Sequence, residues 1–264
     1  MGFVQFHVAD DRCIGVNTQT RADLLSAVES RLSAGIGFAV ATLNVDHLVK
    51  LRRIDAFRRA YAAQTHVVAD GNPVVWISRL ARRPVELIPG CELVHPVSAI
   101  AARQDVPVAL LGATERTLAL ASARLRKRHA GLKVPTCIAP SADFDPTGPE
   151  ADLCIDRLRR SGARVCFLAL GAPKQEIFAA RARTMLPEVG FVSIGAGLDF
   201  IAGTQKRAPA WMRQLSLEWL WRAATNPRRL AGRYARCAML LPMLTWDGMK
   251  GRSRPLADDG LQGV

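Results

Sequence analysis

Residues 164–200 read RVCFLALGAPKQEIFAARARTMLPEVGFVSIGAGLDF, and this stretch decides the fold. It begins with a continuous apolar run at residues 164–170, and a second such run follows at residues 189–194. Between them, residues 174–186 have the apolar spacing of an amphipathic helix. Because the two runs contain no polar alternation, the pattern predicts parallel strands that are buried on both faces.

The same alternation extends outward over most of the chain, up to about residue 202. The predicted strands cover residues 37–43, 66–69, 106–111, 132–138, 164–170 and 189–194. The predicted helices cover residues 46–63, 73–81, 92–103, 115–129, 149–160 and 174–186. This order predicts an α/β fold with mostly parallel, Rossmann-like sheet layers covered by helices. Ligands of such sheets bind beyond the carboxyl ends of the strands.

The character of the sequence changes after residue 203. The formal net charge of the whole chain is +13, and residues 203–254 hold eleven Lys and Arg against two acidic residues, a local net of +9. Four of the five tryptophans lie in the same part of the chain. We expect residues 1–203 to form the α/β core, as one domain or two lobes. Residues 204–249 are predicted to form a basic Arg/Trp helical appendage, and residues 250–264 a disordered tail.

Signals of export and of membrane spanning are absent from the sequence. The first twelve residues lack the basic and apolar regions of a signal peptide, and no apolar run approaches the ~20 residues that cross a bilayer. The six cysteines form no CxxC pair and no zinc-like cluster with histidine, which favours reduced thiols. We therefore expect a cytoplasmic protein whose positive charge favours partners that carry phosphate.

Asp70 stands between a predicted strand and Gly71. A carboxylate at this position can accept a proton from a sugar hydroxyl, and the glycine lets a ligand approach the backbone closely. Aspartate is also a favoured N-cap residue, so Asp70 can instead cap the helix that begins near Pro73. Taken alone, the residue type favours the cap.

Two further strand ends carry polar side chains. Thr42 and Asn44 can bind a sugar or a diphosphate, or they can form an Asx or N-cap turn into the next helix. The loop at residues 171–176 combines a glycine, a helix start, Lys174 and the amide of Gln175, which suits phosphate recognition. A simple connection with a solvated Lys174 explains this loop equally well.

The last predicted strand ends in Gly195 and Gly197, followed by Asp199. The third glycine of a dinucleotide fingerprint is missing, which excludes a standard dehydrogenase. Asp143 and Asp145 have the DxD spacing of many metal-dependent sugar-nucleotide enzymes. They lie in a segment rich in turn residues, so we predict a turn and no metal site.

The Arg/Trp segment at residues 204–249 allows three interpretations. Such a surface can bind nucleic acid, through phosphates and stacked bases. It can also bind anionic lipid headgroups and a lipid diphosphate. A basic helical hairpin that packs on the core with solvated arginines is the third interpretation, and charge alone does not separate the three.

As an ordered set, these motifs resemble the WecG/TagA/CpsF glycosyltransferases, glycosyltransferase family 26. The resemblance spans residues 36–236. The matching motifs are Thr42-Leu-Asn44, Ala69-Asp-Gly71, Gly90-Cys-Glu-Leu93, Gly171-Ala-Pro-Lys-Gln-Glu176, Gly195-Ala-Gly-Leu-Asp-Phe200, Ala202-Gly203, Lys206-Arg-Ala-Pro209, Leu217-Glu-Trp219, Arg222, Pro227-Arg228 and Arg233-Tyr234.

The resemblance implies an inverting, metal-independent transfer of a hexosyl or N-acetylhexosaminyl group, with no cofactor. The implied donor is a UDP-sugar, and the implied acceptor is a polyprenyl-diphosphate-linked sugar in bacterial exopolysaccharide or cell-wall glycan biosynthesis. Asp70 is the implied general base. The expected substrate-binding residues are Thr42, Asn44, Gly71, Lys174, Gln175, Gly195, Gly197, Asp199, Arg207, Arg222, Arg228 and Arg233. We expect the protein to associate peripherally with the anionic inner face of the plasma membrane and to have no nucleic-acid partner. The oligomeric state is left open, and a homo-oligomer is one alternative.

One loop departs from the family pattern. An arginine is expected shortly before Gly90, where this chain has Leu87, and Glu92 stands in place of an aspartate. Arg82 or Arg83 is available to substitute from nearby. The rival interpretations of the whole chain are another nucleotide-binding α/β enzyme and a basic nucleic-acid-binding module.

Overall fold

The computed structural model describes residues 4–9, 12–209, 211–212, 221 and 227–250. The strands are β1 (Val4–Ala9), β2 (Arg12–Val16), β3 (Ala39–Leu43), β4 (His66–Ala69), β5 (Val108–Gly112), β6 (Thr136–Ile138), β7 (Val165–Ala169) and β8 (Gly190–Ser193). The helices are α1 (Arg21–Ala34), α2 (Val45–Leu51), α3 (Asp55–Ala62), α4 (Asn72–Leu80), α5 (Gly90–Arg103), α6 (Glu115–Arg128), α7 (Pro149–Ser161), α8 (Lys174–Met185), α9 (Gly197–Ala202) and α10 (Pro227–Lys250).

The centre of the fold is a six-stranded sheet in the order β4-β3-β8-β7-β5-β6. Each neighbouring pair of strands is parallel. In β3, Val40 faces one apolar cluster while Ala41 and Leu43 face another, and all three are fully buried. Because both faces of the sheet are covered, its strands need no polar alternation, and the predicted α/β fold is confirmed.

Helices form the two covering layers. Helices α1, α5, α6 and α9 pack on one face, where Leu24, Leu118 and Leu198 are fully buried. Helices α2, α3, α4, α7 and α8 cover the other face. The antiparallel β1–β2 hairpin and α10 add to that second layer, and Leu244 of α10 is fully buried in it.

The prediction of a single helix at residues 46–63 is wrong, because this segment forms two helices, α2 and α3. Helix α2 ends at Leu51 with Arg52 as its C-cap, and Ile54, the N-cap of α3, has an extended backbone with φ −117° and ψ 104°. The break allows Leu48 of α2 and Phe57 of α3 to pack in the same apolar cluster. The six predicted strands are present, whereas the β1–β2 hairpin and α1 were not predicted.

The described part of the C-terminal segment consists mainly of α10. This helix lies in the predicted appendage and continues through Pro242 to Lys250. Burial of Leu244 accounts for the continuation, because it anchors the last turns on the core. Residues 210, 213–220, 222–226 and 251–264 lie outside the described residues, so the appendage boundary and the disordered tail stay predictions. Within the described segments, none of the helices combines the length and the apolar character that crossing a bilayer requires.

Candidate active site

Four neighbouring strands bring the sequence motifs to one edge of the sheet. In the order β4, β3, β8 and β7, their carboxyl ends lead into Asp70, Asn44, Gly195 and Gly171. Adjacent strands lie about 4.8 Å apart, so the four loops form a continuous row. This edge is the candidate active site, as the position rule for parallel sheets predicts.

Asp70 is joined to Thr42 on the adjacent strand. Thr42 Oγ1 donates a hydrogen bond of 3.3 Å to Asp70 Oδ2, and the Asp70 N–H donates to the Leu43 carbonyl at 2.8 Å. The N-cap of α4 is Gly71, the residue after Asp70. Asp70 thus precedes the N-cap position, and its carboxylate accepts from Thr42 at the strand ends.

Asn44 and Gly71 flank this pair. Asn44 Oδ1 accepts a 3.0 Å hydrogen bond from the His47 N–H, which confirms that Asn44 caps α2. Gly71 has φ +127° and ψ +135°, a conformation that glycine alone adopts readily. A Cβ atom on Gly71 would lie 3.7 Å from the Asn44 Cβ. Asn44 therefore lies next to the turn that follows Asp70.

A buried hydrogen-bond network holds the backbone of Thr42 in place. The Tyr61 hydroxyl donates to the Thr42 carbonyl at 3.0 Å, and His47 Nδ1 lies 2.7 Å from the same hydroxyl. Because a phenol has a single proton, His47 donates from Nδ1. Burial raises the pKa of Tyr61 well above its usual value, and the carboxylates of Glu176 and Asp70 raise it further. Tyr61 therefore stays protonated and fixes the backbone of Thr42.

Lys50 holds the loop that follows β7. Its Nζ donates to the Ala172 carbonyl at 3.0 Å and pairs with Asp46 Oδ2 at 2.8 Å. The contact joins α2 to a loop 122 residues away in sequence. Sequence reasoning missed Lys50, because nothing local distinguishes it from a solvated lysine on a helix.

Gln175 bridges the loops after β7 and β8. Its Oε1 accepts from the Gly195 N–H at 3.2 Å, and its Nε2 donates to Glu176 Oε1 at 2.8 Å. Gln175 is 3% exposed and Glu176 is 0% exposed. Burial raises the pKa of Glu176 to about 7, although the hydrogen bond from Gln175 opposes the shift. The predicted Gln175 is thus at the site, and its neighbour Glu176 was missed as a site residue.

The residues after β8 have different local roles. Gly195 has φ +53°, and apart from its chain neighbours no atom of the described residues lies within 4 Å of where its Cβ would be. Gly197 instead permits close packing, since a Cβ there would lie 3.2 Å from the Cys91 Cα. Asp199 Oδ1 accepts from the Thr204 hydroxyl at 3.0 Å and stabilises the turn after α9.

Lys174 begins α8 near the loop that precedes α7. Hydrogen bonds from Thr147 lower the pKa of Asp145, and the charge of Lys174 adds a smaller effect. Asp145 Oδ1 accepts from the N–H and the hydroxyl of Thr147 at 2.8 and 2.7 Å, so this segment forms the predicted turn. Within the described part of the chain, no group of three or more His, Cys, Asp or Glu residues is placed to hold a metal ion.

Arg207 is held at the first turn of α5. Its Nη2 pairs with Glu92 Oε1 at 2.8 Å, and its guanidinium carbon lies 5.9 Å from the ring centroid of Phe200. Arg21 pairs with the other oxygen of Glu92 at 2.7 Å. Burial raises the pKa of Glu92, but hydrogen bonds from Arg21 and Arg207 outweigh burial and lower it. Glu92 is therefore a carboxylate that positions two arginines.

The start of α5 lies against the candidate site. A Cβ on Gly90 would lie 2.7 Å from the Ser193 carbonyl oxygen and 3.1 Å from Thr42 Cγ2, so only glycine fits. Just before it, Leu87 forms an isolated parallel bridge with Ala69 at the end of β4. The position where the family pattern predicts an arginine is thus beside the strand that carries the candidate base.

Arg21 is a cation near the loop that precedes α5, and it was not predicted from the sequence. It contacts Glu86 as well as Glu92. Arg82 and Arg83, the expected substitutes for the arginine, follow the end of α4 that is remote from Gly71. Thr20, which caps α1 by accepting from the Asp23 N–H, is the sequence signal that could have placed Arg21 at a helix start.

Three predicted arginines have no described side chain. Arg222 lies outside the described residues. Arg228 and Arg233 belong to the backbone of α10, but their side chains also lie outside the described part. Their expected contacts with substrate stay predictions.

An open parallel sheet with a row of polar loops at one carboxyl edge defines an α/β enzyme that binds substrate at that edge. Residues 12–254 match the model of the glycosyl transferase WecG/TagA/CpsF family, and the chain belongs to this family. The protein is therefore a glycosyltransferase with a sugar donor and an acceptor as its substrates. The resemblance inferred from the motifs is confirmed.

Proposed function

We propose that the protein is an inverting, metal-independent transferase that moves a hexosyl or N-acetylhexosaminyl group from a UDP-sugar to a polyprenyl-diphosphate-linked sugar. The pathway we propose is bacterial exopolysaccharide or cell-wall glycan biosynthesis. One observation carries the proposal: the Asp70–Thr42 pair and the loops at Gly171 and Gly195 follow four neighbouring strands at one sheet edge. Family membership supports it.

Asp70 is the general base in this proposal. It accepts the proton of the acceptor hydroxyl while the hydroxyl oxygen attacks the anomeric carbon. Inversion requires this attack from the face opposite the departing UDP. Asp70 follows β4, and the loops proposed to bind UDP follow β8 and β7 on the far side of β3. The sugar between them would have the base on one side and the leaving group on the other.

The loops after β7 and β8 bind the donor diphosphate in this proposal. Helix α8 begins at this loop, and the positive end of its dipole stabilises an anion there. Lys50 and Lys174 add positive charge at the same loop, and Arg207 adds it at the start of α5. Such cations can stabilise the charge that develops on the departing diphosphate. Gly197, Asp199, Arg222, Arg228 and Arg233 are the further substrate contacts that we propose.

The membrane part of the proposal rests on exposed apolar side chains. Helix α4, which follows the candidate base, packs against α10. Trp76 and Leu80 are exposed on α4, and Met239, Met243 and Trp246 are exposed on α10. Each set is spaced three or four residues apart, as on one face of a helix. Apolar side chains beside a basic segment suit an anionic lipid surface, so we propose a cytoplasmic protein that binds the inner face of the plasma membrane.

A donor and acceptor screen tests this function. Purified protein is incubated with a panel of UDP-sugars and polyprenyl-diphosphate-linked sugars, with and without EDTA, and products are read by mass spectrometry. We expect one pair to give an acceptor that is one sugar heavier, with UDP released only when both substrates are present. No transfer with any pair, or transfer abolished by EDTA, would contradict the proposal.

A further inference from the structure

Glu176 is a buried carboxyl group that has no part in the reaction described above. It is fully buried, and its Oε2 has no hydrogen-bond partner among the described residues. Half-satisfied polar groups are rare in protein interiors, because an unpaired buried oxygen costs free energy. The presence of a carboxyl group at this buried position therefore needs a structural explanation.

The other carboxylate oxygen is engaged by the neighbouring side chain. Glu176 Oε1 accepts from Gln175 Nε2, and Gln175 Oε1 accepts from the Gly195 N–H. An amide has a donor end and an acceptor end, and a flip by 180° exchanges them. Only the observed orientation presents an acceptor to the Gly195 N–H. The acceptor on Glu176 is what favours that orientation over the flipped one.

The backbone of Glu176 is held in place by a hydrogen bond, which limits the movement of its carboxyl group. Its carbonyl accepts from Gln64 Nε2 at 3.3 Å, which ties α8 to the end of α3. At the turn, Gly195 has φ +53°, and apart from its two chain neighbours no described atom lies within 4 Å of where its Cβ would be. The turn is held by the backbone hydrogen bond from the Gly197 N–H to the Ile194 carbonyl at 3.0 Å, and the bond from the Gly195 N–H to Gln175 adds a side-chain restraint.

We propose that Glu176 is a positioning residue that sets the amide orientation of Gln175 and thereby holds the Gly195 loop in the shape that receives the donor diphosphate. The identity of the ligand rests on the proposed function, whereas the restraint on the loop does not. Glu176 offers an acceptor at Oε1 whether it is protonated or ionised. Its action on the loop is accordingly independent of titration.

Three substitutions separate positioning from burial. Glu176→Gln keeps an acceptor at the same distance. Glu176→Asp withdraws the carboxyl by one methylene but leaves it buried, and Glu176→Met removes the acceptor while filling the space. The matched control is Glu115→Met, which changes an exposed glutamate in the first turn of α6.

Two measurements are made on each variant. Amide hydrogen exchange of Gly195 reports the restraint on the loop, and calorimetric titration with UDP reports binding. We expect Glu176→Asp and Glu176→Met to speed exchange about tenfold and to weaken UDP binding about tenfold, as the loss of one hydrogen bond predicts. Glu176→Gln and Glu115→Met should stay within about threefold of the unsubstituted protein for the same reason.

The outcomes are distinguishable. Unchanged exchange at Gly195 in the folded Asp and Met variants would overturn the proposed positioning, and the Asp variant decides alone if the Met variant does not fold. Faster exchange at Gly195 together with unchanged UDP binding would overturn the link to the diphosphate. Failure of the unsubstituted protein to bind UDP would contradict the proposed donor, while the exchange comparison would still decide the role of Glu176.

Discussion

Thr42 contacts the candidate base through its hydroxyl and the buried network through its carbonyl. Thr42→Val removes only the hydroxyl, and we expect kcat to fall about tenfold with little change in the KM of the donor, because one hydrogen bond to Asp70 is lost. Thr42→Ser keeps the hydroxyl and should retain most of the activity. Equal activity of the Val and Ser variants in steady-state assays would show that the bond to Asp70 has no effect on the reaction.

Glu176 predicts a specific dependence of stability on pH. Its pKa in the folded protein, about 7, lies above its ordinary value of 4.5. The unfolded chain therefore releases this proton at lower pH than the folded protein does. The stability that Glu176 contributes is complete below pH 4.5 and is lost as the pH rises through about 7.

Glu176→Gln removes this dependence. We expect the free energy of unfolding of the variant, relative to the unsubstituted protein, to rise by on the order of 3 kcal/mol between pH 4 and pH 8. Urea denaturation across that range measures the difference. Two curves that stay parallel would mean that Glu176 has an ordinary pKa in the folded protein.

At the scale of elements, the turn between β4 and α4 depends on Gly71. Gly71→Ala forces a side chain into a conformation that only glycine adopts readily, so we expect a loss of about 2–3 kcal/mol of stability together with most of the activity. Gly162→Ala is the matched control, since Gly162 has φ +66° at the C-cap of α7 and, apart from its chain neighbours, no described atom lies within 4 Å of its Cβ position. It should cost about 1 kcal/mol and leave activity unchanged. Full activity of a folded Gly71→Ala protein would contradict the role of this turn.

The strands and most helices of the core were predictable, because continuous apolar runs and amphipathic periods are local properties. The break between α2 and α3 was not, since helical periodicity continues across residues 52–54 and only packing of both helices on one cluster explains it. The sequence also did not decide whether Asp70 caps α4 or acts as the base, because aspartate suits both roles. The partners Lys50, Arg21 and Glu176 depend on contacts between distant segments.

At the scale of the whole molecule, the exposed apolar side chains of α4 and α10 are predicted to meet the membrane. Trp76→Glu and Trp246→Glu should each reduce binding to vesicles of phosphatidylglycerol and phosphatidylethanolamine several-fold, because a carboxylate opposes insertion next to anionic lipid. Leu153→Glu is the matched control, since Leu153 is 66% exposed on α7. Vesicle flotation measures binding, and equal losses in all three variants would contradict a defined membrane face.

The sheet order places one carboxylate, Asp70, at the start of the row of loops, and the proposed reaction depends on it. The decisive comparison is turnover of the unsubstituted protein and Asp70→Asn with saturating UDP-sugar and lipid-linked acceptor, with Asp156→Asn on the exposed face of α7 as control. We predict that Asp70→Asn lowers kcat by ~10²–10⁴-fold while the affinity for UDP and the activity of the control stay unchanged. Undiminished turnover by Asp70→Asn would contradict the assignment of Asp70 as the base.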